Sequence, residues 1–123
     1  MSVQINSLFR QGVVRPLDAD ARDQLLASVR SSIRCEWLPI ISGLQFAAIW
    51  DSGLFHSLGQ ACDERFTEYE EITIPPERLG DALRAIAPFA DPQRGDYGGK
   101  FACSLQSLLE DARKSQMPVV FVL

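Results

Sequence analysis

The sequence predicts an α+β domain, and three observations carry that reading. Apolar residues recur at helical spacing in three stretches, 18–34, 76–87 and 100–115. Two shorter runs, 36–50 and 66–74, are rich in β-formers or alternate, as strands do. The chain closes on Val119-Val120-Phe121-Val122-Leu123, an unalternated apolar run of the kind buried on both faces of a sheet. The expected architecture is one globular domain over residues 1–123. It has a mixed β-sheet of about four to five strands and three to four helices packed on it, with the C-terminal strand buried in the sheet. At 123 residues the chain is long enough to bury a core without disulfides or metals.

Taken in order, the first 16 residues carry Val3, Ile5, Leu8, Phe9, Val13 and Val14 without a clean period, which fits a short strand or an irregular arm. Asp18 and Asp20 offer N-caps to a helix expected over 18–34, with Leu25, Leu26, Val29 and Ile33 as its apolar stripe. Residues 36–41 and 44–50, separated by Ser42-Gly43, read as a β-hairpin, with Pro39 pushing the first strand to an edge or a bulge. Asp51 and Ser52 can cap a short helix bearing Leu54, Phe55, Leu58, Ala61 and Cys62. A strand over 66–74 ends at Pro75-Pro76, and the second proline suits the first turn of a helix that buries Leu79, Leu83 and Ile86. Pro88 and residues 91–99, with Pro92 and three glycines around Tyr97, read as the clearest loop, followed by a helix from Lys100 to Ser115.

Charge is the most uneven property of the chain. Between Ala61 and Asp81 stand Asp63, Glu64, Glu68, Glu70, Glu71, Glu77 and Asp81 against Arg65 and Arg78, within a chain whose net charge is −4. Like charges at that density must face water or a cationic partner. On a strand starting at Phe66, Glu68 and Glu70 share the face of Ile72 and Ile74, which sets a rigid array of acids around Tyr69 at a sheet rim. The same array would also serve to keep an exposed strand edge from aggregating.

Other chemistries find little support. Only two lysines, Lys100 and Lys114, are present and the arginines are scattered, so neither a basic stripe nor general phosphate binding is indicated and no nucleic-acid partner is expected. Cys35, Cys62 and Cys103 match neither a disulfide framework nor a zinc pattern, and His56 is the only histidine, so no metal or cofactor is expected. The glycines near Tyr97 fit neither a phosphate loop nor a calcium loop. The N-terminus lacks the features of an export signal and no apolar run approaches the ~20 residues of a membrane span, which points to a cytoplasmic protein without membrane contact.

The function expected is therefore non-catalytic binding of a basic protein partner, through Asp63, Glu64, Glu68, Tyr69, Glu70, Glu71, Glu77 and Asp81, with Tyr97 as a further contact. In size, charge and lack of catalytic motifs the chain is similar to small acidic bacterial immunity proteins, which neutralise a cognate toxin; the likeness is of class and rests on no shared motif. One alternative is a small enzyme or ligand-binding domain using His56, Glu68 and Glu70. A second is a subunit of a larger assembly.

Overall fold

The computed structural model describes residues 2–5, 11–27, 33–68, 70–93 and 95–123. Five strands, β1 (Ser2–Ile5), β2 (Gly12–Pro16), β3 (Ile33–Pro39), β4 (Glu71–Ile74) and β5 (Val119–Val122), form one sheet in the order β1-β3-β2-β5-β4. Among the described residues five α-helices accompany it: α1 (Ala19–Leu26), α2 (Gly43–Ser52), α3 (Leu54–Cys62), α4 (Leu79–Ile86) and α5 (Tyr97–Ser115). The α+β class stands. All four strand pairings are antiparallel, so the sheet is antiparallel rather than mixed.

The pleat divides the sheet's two faces between unequal cores. Val13, Phe121 and Ile72 lie in one row across β2, β5 and β4 and meet α2, α3, α4 and α5 in the main core. Val14 and Val120, one residue over, face the other way and pack with Cys35 under Ala21 and Leu25 of α1. β5 has β2 on one side and β4 on the other, and Val119, Val120 and Phe121 are fully buried, as its unalternated sequence requires. The Leu123 N–H donates to the Glu70 carbonyl at 2.9 Å, and its own carbonyl accepts from the Gln11 side chain.

Gly12 is held to glycine by its neighbour. Its φ is +155°, and a Cβ there would meet the Trp37 indole nitrogen at 2.3 Å and the Leu38 carbonyl at 2.5 Å. Trp37 thus lies over the bare backbone of the adjacent strand. Its buried indole N–H finds no acceptor among the described residues.

Several elements depart from the sequence reading. The helix expected over 18–34 starts as expected, with Asp18 Oδ1 accepting the Ala21 N–H at 2.7 Å, but ends at Leu26; Ile33 opens β3, and Val29 lies outside the described residues. Residues 44–50 are not the second strand of a hairpin: they belong to α2. Ser42 caps that helix by accepting the Gln45 N–H, while the Gln45 side chain accepts the Ile41 N–H, a reciprocal cap that defeats the expected turn. Pro39 ends β3 rather than occupying a sheet edge: its missing N–H falls beyond the reach of β1, which pairs only with residues 33–36. α2 also raises the helix count above the three or four expected.

The strand expected over 66–74 shrinks to Glu71–Ile74. Phe66 is buried in the main core, and Thr67, Glu68 and Glu70 belong to no strand, so the period-two argument never reaches Glu68. Pro76 opens a 3-10 turn ahead of α4, where Leu79 and Ile86 are fully buried and Leu83 half-buried. Finally, α5 begins at Tyr97, three residues earlier than expected: Asp96 Oδ1 accepts the Gly99 N–H at 3.0 Å. Gly98 and Gly99 are buried in its first turn, where a Cβ on Gly98 would stand in ordinary contact, 3.8 Å, with the Ala48 carbonyl and the Ser52 side chain, so α5 starts against α2.

Candidate functional site

Helix α2 is apolar on nearly every side, yet only Phe46 and Ile49 are buried. Leu44 is 84% exposed, Ile41 just ahead of the helix 72%, and Trp50 near its end 47%; Ala47 and Ala48 are exposed as well. A helix apolar all round is normally enclosed. Here Gly53, at φ +88°, ends α2 and starts α3 in one residue, and the bend leaves α2's outer side facing solvent.

Between the end of α2, α3 and the chain leaving α3 runs an open groove of about 620 Å³. Its apolar wall is Trp50, Phe55 and Phe66, and its polar wall is His56, Gln60, Asp63, Glu64, Arg65 and Thr67. Asp63 adopts a left-handed conformation (φ +55°) as the C-cap of α3, and the Glu64 N–H donates to the Gly59 carbonyl. That closure needs Gly59, whose Cβ would stand 2.7 Å from the Glu64 carbonyl oxygen. The backbone of Asp63 and Glu64 is thereby held at the lip of the groove, with both side chains exposed.

Aromatic rings tie this lip to the sheet. Trp50 stacks on Phe46 (centroids 6.3 Å apart), Phe46 meets Phe55 (5.6 Å), Phe55 stacks on Phe66 (6.4 Å), and Phe66 sets its edge to Phe121 of β5 (5.0 Å). An exposed tryptophan is thus the outer end of a series of buried rings.

The acidic residues do not gather at one point. Asp63 and Glu64 stand at the groove and also at a smaller hollow, about 240 Å³, with Thr73, Ile74, Pro75 and Arg78. Glu68 and Glu70 are exposed on the stretch leading to β4, and Glu71 is exposed on β4 itself, which is an edge strand of the sheet. Tyr69 lies outside the described residues. Glu77 is exposed on the 3-10 turn before α4, and Asp81 pairs with Arg84 along α4. Tyr97 is not at a loop tip: it is half-buried against Phe101 at the start of α5, and burial pushes its hydroxyl pKa up. The charge imbalance nonetheless extends past the segment first noted. From Cys35 to Glu77 eight acids stand against Arg65 alone, a net −7, while the rest of the chain sums to +3 and the whole to −4.

His56 is exposed, 3.2 Å from the Gln60 side chain, and shares the groove with Asp63, Glu64 and the Thr67 hydroxyl. Ser57, its neighbour in sequence, turns away and donates to the Ala85 carbonyl. Burial raises the Cys62 thiol pKa, with Arg78, which donates to the Cys62 carbonyl, acting in the opposite sense. A protonated, buried thiol is a poor nucleophile. Among the described residues no three His, Cys, Asp or Glu side chains are placed to hold a metal ion, and no helix is long and apolar enough to cross a membrane.

The exposed face of α2 escaped the sequence reading. Its signal was present in Ser42-x-x-Gln45, a capping box, followed by an Ala-rich run with no polar residue between Phe46 and Asp51. Compared with protein-family models, curated proteins and solved structures, the chain shows no match in any of the three.

Proposed function

We propose that the domain is a non-catalytic binding protein that presents its acidic stretch to a basic protein partner. The observation that carries this reading is the groove lip at Asp63 and Glu64, where the backbone that bears two exposed carboxylates is fixed by its closure onto Gly59 beside an aromatic wall. Carboxylates on short side chains of a fixed backbone meet Lys and Arg with less ordering penalty than those of a free chain, and their field speeds encounter. A cytoplasmic inhibitor of a bacterial toxin is the form we carry forward: a nuclease or similar toxin has a cationic substrate surface that a row of acids can occupy, and inhibition rewards fast association.

The test is retention of host proteins on the immobilised domain at low salt, wild type beside Asp63→Asn/Glu64→Gln. A basic protein held by the wild type, released by about 0.5 M salt and lost from the variant is the expected outcome. For the toxin reading, stoichiometric wild-type domain should also abolish the captured protein's activity. Retention unaffected by the double substitution would remove the acidic lip from the account.

A further inference from the structure

We infer that the partner docks as a basic amphipathic helix laid along the exposed side of α2, with its apolar stripe on Ile41, Leu44 and Trp50 and its cations toward Asp51, Asp63 and Glu64. This deepens the acidic-surface reading and rests on it. What it adds is the apolar half of the contact.

Three observations lead there. The first is the excess of apolar surface on α2: Leu44, Ile41 and Trp50 are large, exposed and clustered on one short helix and its lead-in. Scattered exposed apolar residues are ordinary, but several contiguous ones rimmed by charge mark interaction sites. The second is rigidity. Trp50 is stacked on Phe46, the first of the buried rings that reach Phe121, so its contact surface is already ordered before binding. Tryptophans in that situation are the residues that dominate interface energetics. The third is charge complementarity. Asp51 follows Trp50 on the same helix, Asp63 and Glu64 stand with Trp50 on the groove, and Arg65, which lines the same groove, is the only Lys or Arg between residues 35 and 77. An acidic or neutral apolar segment would meet repulsion or unpaired carboxylates here; a basic one pairs with them. A helix suits the dimensions, since α2's ten residues present a straight face about 15 Å long beside a groove.

Calorimetry with synthetic helical peptides tests this without knowing the natural partner. The probe is a peptide of about 14 residues with Leu at i, i+3, i+4, i+7 spacing and Lys elsewhere. One control replaces Leu by Ser, another replaces Lys by Glu. We expect the Leu/Lys peptide to bind the wild-type domain at about 150 mM salt, the Leu/Ser exchange to weaken binding at least tenfold, and the Lys/Glu exchange to abolish it. Trp50→Ala and Leu44→Ser should each weaken the Leu/Lys complex about tenfold or more, while Glu110→Gln on α5 leaves it unchanged. Trp50 emission should shift to the blue on binding, with the Trp50→Phe difference spectrum isolating it from Trp37. Equal binding of the Ser/Lys peptide would overturn the docking on α2 while leaving the acidic reading intact. Equal binding of the Leu/Glu peptide would overturn both. Unchanged affinity in Trp50→Ala, or a free domain that sediments as a dimer and is made monomeric by Leu44→Ser, would overturn the docking, the last because a second copy already covers the face.

Discussion

Two apolar runs in this chain have opposite fates. Val119–Leu123 supplies β5 and the residue after it, flanked by strands on both sides and covered on both faces, so its side chains are almost wholly removed from water. Leu44–Trp50 becomes most of α2, which turns Phe46 and Ile49 inward and leaves Leu44 and Trp50 out. Both runs are apolar apart from Gln45, and both read as strands. Apolar content therefore reports a demand for burial, and the fold meets that demand in the first case only. The unmet remainder on α2 is the part of the sequence that the folded monomer does not explain.

The largest effect that sharpens this contrast is at Phe121, which lies in the row with Val13 and Ile72 and takes the edge of Phe66. Phe121→Ala should cost about 3–5 kcal/mol through lost burial and the cavity left behind, a large part of the stability of a domain this size. Deleting residues 119–123 should abolish soluble expression altogether. A folded truncated protein would show that β2 and β4 can close on each other, and the contrast would fail at its buried end.

Within α2 the same contrast is available on one helix. Phe46→Ala removes a ring packed between Trp50 and Phe55 and should cost about 3 kcal/mol, whereas Leu44→Ala should stay within about 0.5 kcal/mol. Urea unfolding of the two variants separates them. A Leu44→Ala loss as large as that of Phe46→Ala would mean that Leu44 is covered in solution, by a second copy or by residues outside those described.

How much of this was legible in the sequence follows from which signals act locally. The cap at Asp18, the helical turn opened by Pro76 and the buried C-terminal strand depend on residue types next to each other, and they are where the sequence places them, although the turn at Pro76 is 3-10 and α4 proper begins at Leu79. The hairpin failed because Ser42-Gly43 carries both a turn signal and half of a capping box, and Gln45 decides between them by bonding back to Ile41. The 66–74 strand failed because Phe66 is drawn into the core between Phe55 and Phe121, which breaks the alternation before Glu68. Gly98 and Gly99 looked like loop residues but are buried in the first turn of α5, where Gly98 lies against α2, a tertiary placement with no local mark. For the site, charge located the carboxylates at Asp63 and Glu64, while the ring series that fixes Trp50 beside them is assembled from α2, α3, the 63–70 connection and β5 and could not be read from any one segment.

Alkaline pH offers a smaller, directional test confined to the buried side of the molecule. Burial raises the pKa of Cys62 above the ordinary 9.0 and that of Tyr97 above the ordinary 10.0. Below the unfolded values both groups hold their protons in either state and no stability depends on them. As pH rises past about 9, the unfolded chain releases protons that the folded chain keeps, so stability falls through the folded pKa values. The urea midpoint should therefore drop between pH 8 and 10.5, and Tyr97→Phe should flatten the upper part of that decline. An unchanged slope in Tyr97→Phe would show that its hydroxyl reaches water as readily as in the unfolded chain.

The smallest expected effect on the fold comes from the exposed acids, and its smallness is the point. Glu68, Glu70 and Glu71 are exposed at or before an edge strand, and surface charges rarely contribute more than about 1 kcal/mol. Replacing all three with glutamine should therefore shift the urea midpoint little, in contrast to Phe121→Ala. Binding is where they should act: affinity for a basic partner should fall, chiefly through a slower on-rate, and lose much of its dependence on salt. Two failures are informative in different ways. A stability loss above about 1 kcal/mol would place these carboxylates in the folded structure's own hydrogen bonding, with Glu71 the first suspect because it is in β4 itself. Unchanged affinity and salt dependence would leave them the role of keeping the β4 edge from pairing with other chains, and would confine recognition to α2 and the lip at Asp63 and Glu64.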